Sequence, residues 1–217
     1  MDQLSMQTLL ELPHYIDFQE KYLWYTILVI TSTPTWWNIV ARREYKTHFL
    51  TKLCGGAYKG CYFLAFLIFT CGALRDYLFA ESMKRQPIHP LLEQFSQELQ
   101  TVSYALYAIG GILVGATYYR LGITGTYLGD YFGILMKERV YGFPFNVMSN
   151  PMYNGSTILF LAHALHGKSV AGIFLSLIVF ITYRIALTFE EPFTAHIYSK
   201  RTSTGGQEQK RSAKKIQ

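Results

Sequence analysis

Charge is the scarcest property of this 217-residue chain: 16% of its residues are Asp, Glu, Lys or Arg, against about 25% in an average soluble domain. The few charges crowd at segment ends and in the C-terminal tail, and half of all residues are hydrophobic. A soluble core does not separate charge from apolar runs in that way, whereas a multi-span membrane protein does. Cysteine is nearly absent as well. Cys54, Cys61 and Cys71 are an odd set with no CxxC pair, which argues against a disulfide framework and a zinc site. They read as small buried apolar residues, and no metal is expected. A basic face with interleaved aromatics is also missing, so the net charge of +6 does not point to nucleic acid. The surplus Lys and Arg flank apolar segments, as topology-fixing charges beside anionic lipid do. Finally, Asp2, Glu11, Asp17 and Glu20 precede the first long apolar run without a basic n-region, so a cleavable signal is not expected and the first span is retained.

What is present is a series of apolar segments. A short interfacial helix is expected within Leu4–Phe18, then a first span over Tyr22–Val40, long enough for about 30 Å of hydrocarbon. Pro34 should kink it, and Trp36-Trp37-Asn38 reads as an interfacial belt at its far end. Arg42, Arg43, Lys46, Lys52 and Lys59 crowd the next connection. Tyr58–Ala80 is the expected second span, with Lys59 and Arg75 snorkelling outward. Residues 81–100 form an exposed loop, and Leu99–Tyr119 is the third span. Gly155–Phe189 is either one helix of about 50 Å or a hairpin turned at His166-Gly167-Lys168. The hairpin is preferred, because it returns the basic tail to the face that carries the basic connection. The fold class is therefore all-α: a multi-span transmembrane helical bundle over 1–198, with a C-terminal helical hairpin. A disordered basic cytoplasmic tail follows over 199–217.

Two stretches carry groups that apolar spans do not need. Leu121–Tyr153 holds Gly122, Gly125, Gly129 and Gly133 at spacings of three and four, which would leave a helix one nearly bare face. Asp130 is the sole acid between Glu98 and Glu138. Tyr127, Tyr131, Phe132, Phe143, Phe145 and Tyr153 offer aromatic faces, and such a cage with carboxylates suits a soft cation. The plainer alternative is a glycine-packed helix with interfacial aromatics. Glu190-Glu191-Pro192 ends an apolar helix, where carboxylates oppose the macrodipole and proline blocks simple continuation. That placement invites a cationic partner, unless both are solvated caps or one pairs with Arg184. In the third span, Ala108-Ile109-Gly110-Gly111 would let a backbone or a ligand approach closely.

Several of these motifs occur in order. Trp37-Asn38-Ile39-Val40-Ala41-Arg42 follows the first span, and Gly125-Thr126-Tyr127-Leu128-Gly129-Asp130-Tyr131-Phe132-Gly133 precedes Phe143-Pro144-Phe145-Asn146. Asn150-Pro151-Met152-Tyr153 and Glu190-Glu191-Pro192-Phe193-Thr194-Ala195 complete the set. Together they resemble the phosphatidylethanolamine N-methyltransferase family, over most of the chain. The resemblance implies S-adenosylmethionine as methyl donor. Its contacts would fall on Ala108, Ile109 and Gly110, where Ala108 replaces a glycine of the family pattern, on Glu190 and Glu191, and on Asn150, Pro151 and Tyr153. It also implies a membrane phospholipid as substrate, methylated stepwise to phosphatidylcholine.

Such chemistry is mainly positioning plus acceptance of a proton from the lipid amine. Asp130 and Glu190 are the candidates for base or for amine positioning, with His163 behind them. The terminal Lys214-Lys215-Ile216-Gln217 resembles a dilysine retrieval signal, which implies an endoplasmic reticulum membrane, with a mitochondrial membrane as the alternative. The tail and the cofactor site would then both face the cytoplasm. Two other readings remain: a membrane methyltransferase for a prenylcysteine or sterol substrate, and a non-enzymatic channel or scaffold whose glycines only pack helices. Nothing in the residues sets an oligomeric state.

Overall fold

The first helix starts where the Glu20 carboxylate accepts the Tyr22 N–H at 3.1 Å; α1 then runs unbroken over Lys21–Thr47. The computed structural model describes residues 12–136 and 140–214, with side chains over 14–136 and 140–199. The expected interfacial helix within Leu4–Phe18 lies largely outside these residues; a short 3-10 turn over Leu12–Tyr15 is its described part. Pro34 sits inside α1 without ending it, so the turn forgoes one backbone hydrogen bond. Thr26, Thr31, Thr33 and Thr35 each return their hydroxyl to the carbonyl four residues back, which satisfies those groups in an apolar setting.

Buried Glu44 turns the chain at the end of α1. It accepts the Leu50 N–H at 2.6 Å and the Thr51 hydroxyl at 2.5 Å, and so caps α2 (Phe49–Cys54). The remaining helices are α3 (Ala57–Lys84), α4 (Pro90–Gln94), α5 (Ser96–Thr126), α6 (Pro151–His166) and α7 (Val170–Lys214), with a 3-10 turn over Gly129–Phe132 between α5 and α6. Among the described residues, three helices are long and apolar enough to cross a membrane: Ala57–Lys84, α5 continued to Phe132, and Val170–Ser199. The expected first span is not one of them. The threonines and the Trp-Trp-Asn step make α1 more polar, and it packs instead along α3 and α7.

The hairpin is present. α6 stops at His166 and α7 restarts at Val170, with Lys168 in a left-handed conformation at φ 50°. The Ser169 hydroxyl accepts the Gly172 N–H at 3.0 Å, an N-cap that opens α7. Contrary to expectation, Pro192 does not end α7, and the helix carries on to Lys214 through the stretch expected to be disordered. Once a helix is nucleated, each added residue gains a bond without a new nucleation cost. Lys215–Gln217 lies outside the described residues.

The helices alternate in direction. At one end Asp17 and Gln86 exchange hydrogen bonds of 2.7 and 3.1 Å, and Lys168 pairs with Glu93 at 2.7 Å. At the other end Ala41, Leu50, Cys61, Tyr131, Phe132 and Ile197 form one apolar cluster. Between them Leu23, Ile30, Phe79, Phe160, Leu175 and Val179 form the main core. The basic connection between α1 and α3 and the final stretch of α7 therefore share an end.

Candidate active site

Glycine shapes the wall on which the site is built. Gly110 of α5 and Gly155 of α6 face each other so closely that a Cβ on Gly110 would stand 2.9 Å from the Gly155 carbonyl oxygen. This lets α5 and α6 run side by side. Further along, α5 breaks at Gly122, where φ is 63° and ψ −174°. Glycine adopts that conformation without the strain a side chain would bring. The break redirects the chain into the Gly129–Phe132 turn, which delivers Asp130 toward α7. There the Thr194 hydroxyl donates to Asp130 Oδ2 at 2.9 Å, and the Tyr131 ring stacks on Phe193 with centroids 5.0 Å apart.

Between α3, α5, α6 and α7 lies a chamber of about 940 Å³, within the range of small-molecule sites. It follows α6 from Asn150 to His163, about 20 Å at the helical rise. Asp130, Asn150, Tyr153, Glu190 and Tyr198 line one end and Tyr107 and His163 the other; Arg75, Asp76 and Tyr183 lie between, the Tyr183 ring against Tyr153 and the Arg75 guanidinium over Phe160. Phe69, Ala73 and Asp76 of α3 and Tyr118 of α5 line it and are themselves exposed, so the chamber opens sideways between those two helices.

Glu190 is the best-held group in it. Its Oε1 accepts Trp37 Nε1–H at 2.9 Å and Asn38 Nδ2–H at 2.8 Å, and its Oε2 accepts the Tyr153 hydroxyl at 2.6 Å. Donors from α1 and α6 thus fix a carboxylate on α7 that is 9% exposed. Glu191 is exposed at the rim, where Asn150 Nδ2–H donates to it at 2.8 Å. Among the described residues, no Lys or Arg is in ion-pair contact with Asp130, Glu190 or Glu191, so the alternative pairing with Arg184 is not seen. Three carboxylates gather at the same end.

The structure brings Asp130, Asn150, Pro151, Tyr153 and Glu190 onto one chamber wall, with Glu191 at its edge. His163 lies at the opposite end, its Nδ1 2.9 Å from the Tyr107 hydroxyl. Ala108 and Ile109 are not on the wall: both are exposed on the outer face of α5, and Gly110 is covered by Gly155 and Leu159. Of the aromatic set, Tyr127, Phe145 and Tyr153 line the chamber, Tyr131 and Phe132 are in the apolar core, and Phe143 is exposed.

Two expectations need correction. Trp37 and Asn38 do not form an interfacial belt; both are buried on the carboxylate. A Trp N–H and an Asn amide in an apolar helix must find acceptors inside the bundle, and that is the sequence signal that could have found them. Arg75 does not snorkel out either. Its side chain is 15% exposed and turns inward to the Tyr183 hydroxyl at 2.5 Å.

Three helices long and apolar enough to cross a membrane, with carboxylates and aromatic faces gathered at one end of a laterally open chamber, define the class: an all-α, multi-span membrane protein. A family model described as phospholipid methyltransferase matches residues 99–201, and the chain belongs to that family. It is 59% identical to phosphatidylethanolamine N-methyltransferase A of Dictyostelium discoideum, over 94% of this chain and 94% of that protein. It is 48% identical to phosphatidyl-N-methylethanolamine N-methyltransferase of Saccharomyces cerevisiae, over 93% and 97%, and 40% identical to phosphatidylethanolamine N-methyltransferase of Homo sapiens, over 87% and 94%. No solved structure matches the chain.

Proposed function

We propose that the chain transfers methyl groups from S-adenosylmethionine to phosphatidylethanolamine and its mono- and dimethyl forms, giving phosphatidylcholine. The observation that carries this reading is the carboxylate end of the chamber, where Asp130, Glu190 and Glu191 have no ion-pair partner among the described residues. The residues present fit the donor: carboxylates for its ammonium, an Asn150 amide for its carboxylate, aromatic faces for its base and sulfonium, and a volume that leaves room for a lipid head group. When bound, the donor supplies an electrophilic methyl on a cationic sulfur.

The chain's own groups do the rest. Glu190, with both oxygens tied to three donors, is a fixed counter-charge for holding a cation. Asp130 takes one hydroxyl and one backbone donor, which leaves carboxylate lone pairs free; it accepts the proton of the lipid ammonium, so that the amine lone pair can form the new C–N bond as the C–S bond breaks. Alignment within about 3–3.5 Å is the main catalytic contribution. The basic connection after α1 lies at the same end as the carboxylates, which by the positive-inside rule supports a cytoplasmic site and tail. With the terminal lysines this supports residence in the endoplasmic reticulum.

The test is reconstitution in vesicles with labelled donor, following mono-, di- and trimethylated lipid. Glu190→Gln, which keeps the shape and loses the charge, is expected to weaken donor affinity about 10- to 100-fold. Labelled methyl ester in place of methylated phospholipid, or no product from correctly inserted protein, would refute the reading.

A further inference from the structure

Besides Glu44 and Glu190, the bundle turns a further charged group inward. Arg75 lies well inside the membrane-crossing helix α3, where an arginine is expensive and marks a functional site by default. It could have reached outward along the apolar surface, as long basic side chains do. Instead the guanidinium lies over the Phe160 ring, 4.6 Å from its centroid, and donates through Nη1 to Tyr183. Its carboxylate neighbour Asp76 is 60% exposed at the lateral opening, and one oxygen of it serves both Nε at 3.0 Å and Nη2 at 2.9 Å. Of the five N–H groups on a guanidinium, three meet described residues, one at Tyr183 and two at the single Asp76 oxygen, which leaves one N–H on each Nη. A planar fork is thus held in place on the chamber wall with donors to spare.

Aromatic rings join the carboxylate end of the chamber to the guanidinium, whose charge is shared with the exposed Asp76. Arg75 holds Tyr183, whose ring meets the Tyr153 ring edge-on at 4.8 Å, and Tyr153 holds Glu190. Along α7, Tyr183 lies seven residues before Glu190, about 10 Å deeper into the bundle. A phospholipid lying in a leaflet presents the same sequence from the surface inward: amine, phosphate, then acyl chains. The chamber presents carboxylates at its outer end, a guanidinium below them, and an apolar lateral opening between α3 and α5.

Building on the methyltransferase reading above, we infer that Arg75 anchors the phosphodiester of the phospholipid substrate. Guanidinium matches phosphate oxygens in a paired, planar geometry. The anchor fixes the depth of the head group, so the amine, two methylene carbons away, is presented at the carboxylate end while the acyl chains leave through the opening into the bilayer. Tyr183 is a positioning residue: it holds the fork and does not meet the lipid amine.

Binding tests this directly. The full-length protein in nanodiscs is loaded with a fluorescent short-chain phosphatidyl-N,N-dimethylethanolamine. The probe is displaced with the unlabelled phospholipid, with its methyl phosphotriester, which has no phosphate charge, or with inorganic phosphate. Wild type is expected to prefer the phosphodiester over the triester by about 10- to 100-fold, and Arg75→Gln to abolish that preference while S-adenosylmethionine affinity is unchanged. Arg75→Lys, which keeps the charge and loses the fork, should retain part of the preference and serves if the glutamine variant does not fold. Equal binding of diester and triester by wild type, or a variant that weakens both equally or keeps the full preference, would overturn the anchor. Inorganic phosphate displacing the probe as well as the phospholipid would make this a free-anion site and overturn the lipid assignment. Selective phospholipid binding without methyl transfer refutes the methyltransferase reading and upholds the anchor; methyl transfer without phosphate preference refutes the anchor alone.

Discussion

Gly110→Ala separates two physical roles for one residue. The family resemblance makes Gly110 a contact of the methyl donor, whereas the structure covers it with α6. A Cβ there would meet the Gly155 carbonyl oxygen at 2.9 Å, Leu159 Cγ at 2.9 Å and Leu159 Cδ2 at 3.0 Å. Optimal carbon contacts lie at roughly 3.5–4.0 Å, so the two helices must part by about half an ångström or Leu159 must change rotamer. The backbone carbonyl cannot turn aside within a helix. Over-packing of this kind costs about 1–3 kcal/mol. At about 2–4 °C per kcal/mol for a chain of this size, the midpoint of thermal unfolding in detergent should fall by several degrees. Gly155→Ala should behave alike, since its Cβ would meet Leu113, Val114 and the Gly110 carbonyl at 3.0–3.1 Å. The double variant should be non-additive by more than about 0.5 kcal/mol, because the two methyls compete for one gap. The assay pairs the unfolding midpoint with the KM for S-adenosylmethionine on the folded fraction. Unchanged stability with a raised donor KM would refute the packing argument and return Gly110 to the cofactor site.

Two shorter predictions concern buried carboxylates. Trp37→Phe deletes the N–H that meets Glu190 Oε1 at 2.9 Å; hydrogen bonds to charged groups are worth about 1.5–3 kcal/mol, so donor affinity should fall about 10-fold or more, and unaltered isotherms would count against the role given to Trp37. Glu44→Gln leaves the Leu50 N–H or the Thr51 donors without an acceptor in a fully buried site. It should lower stability by about 1–3 kcal/mol while activity per folded molecule stays the same, and a fall in turnover of the folded fraction would contradict a purely structural place for Glu44.

Much of the architecture was legible because its signals are one-dimensional. Apolar length marks spans, and His166-Gly167-Lys168 interrupts one with groups that favour a turn. The meeting of Leu121–Tyr153 with Glu190 followed from that turn and from charge placement. What could not be read was which side of each helix faces inward. α3 is apolar nearly all round, so periodicity does not say whether Arg75 points to lipid or to the chamber. Trp37 poses the same problem, since an indole suits an interface and an interior equally until its acceptor is known. Pro192 misled for a different reason: a helix packed on several neighbours absorbs the missing hydrogen bond that would end an isolated one. Glycine pairs such as Gly110 and Gly155 are read only with both helices in view, because a ligand and a backbone impose the same demand for a missing side chain.

The attachment of Glu190 to Trp37 spans 153 residues. A ribosome adding about 5–20 residues per second needs on the order of 10–30 s to cover that interval, during which the indole N–H and the Asn38 amide are already made and their acceptor is not. Chains that stop short of α7 would leave those donors with no acceptor but lipid, other helices or the insertion machinery. Completion of the Glu190 hydrogen-bond set and completion of the bundle are therefore one event in the life of the chain, and a truncated product announces itself by the same two side chains that a finished one conceals.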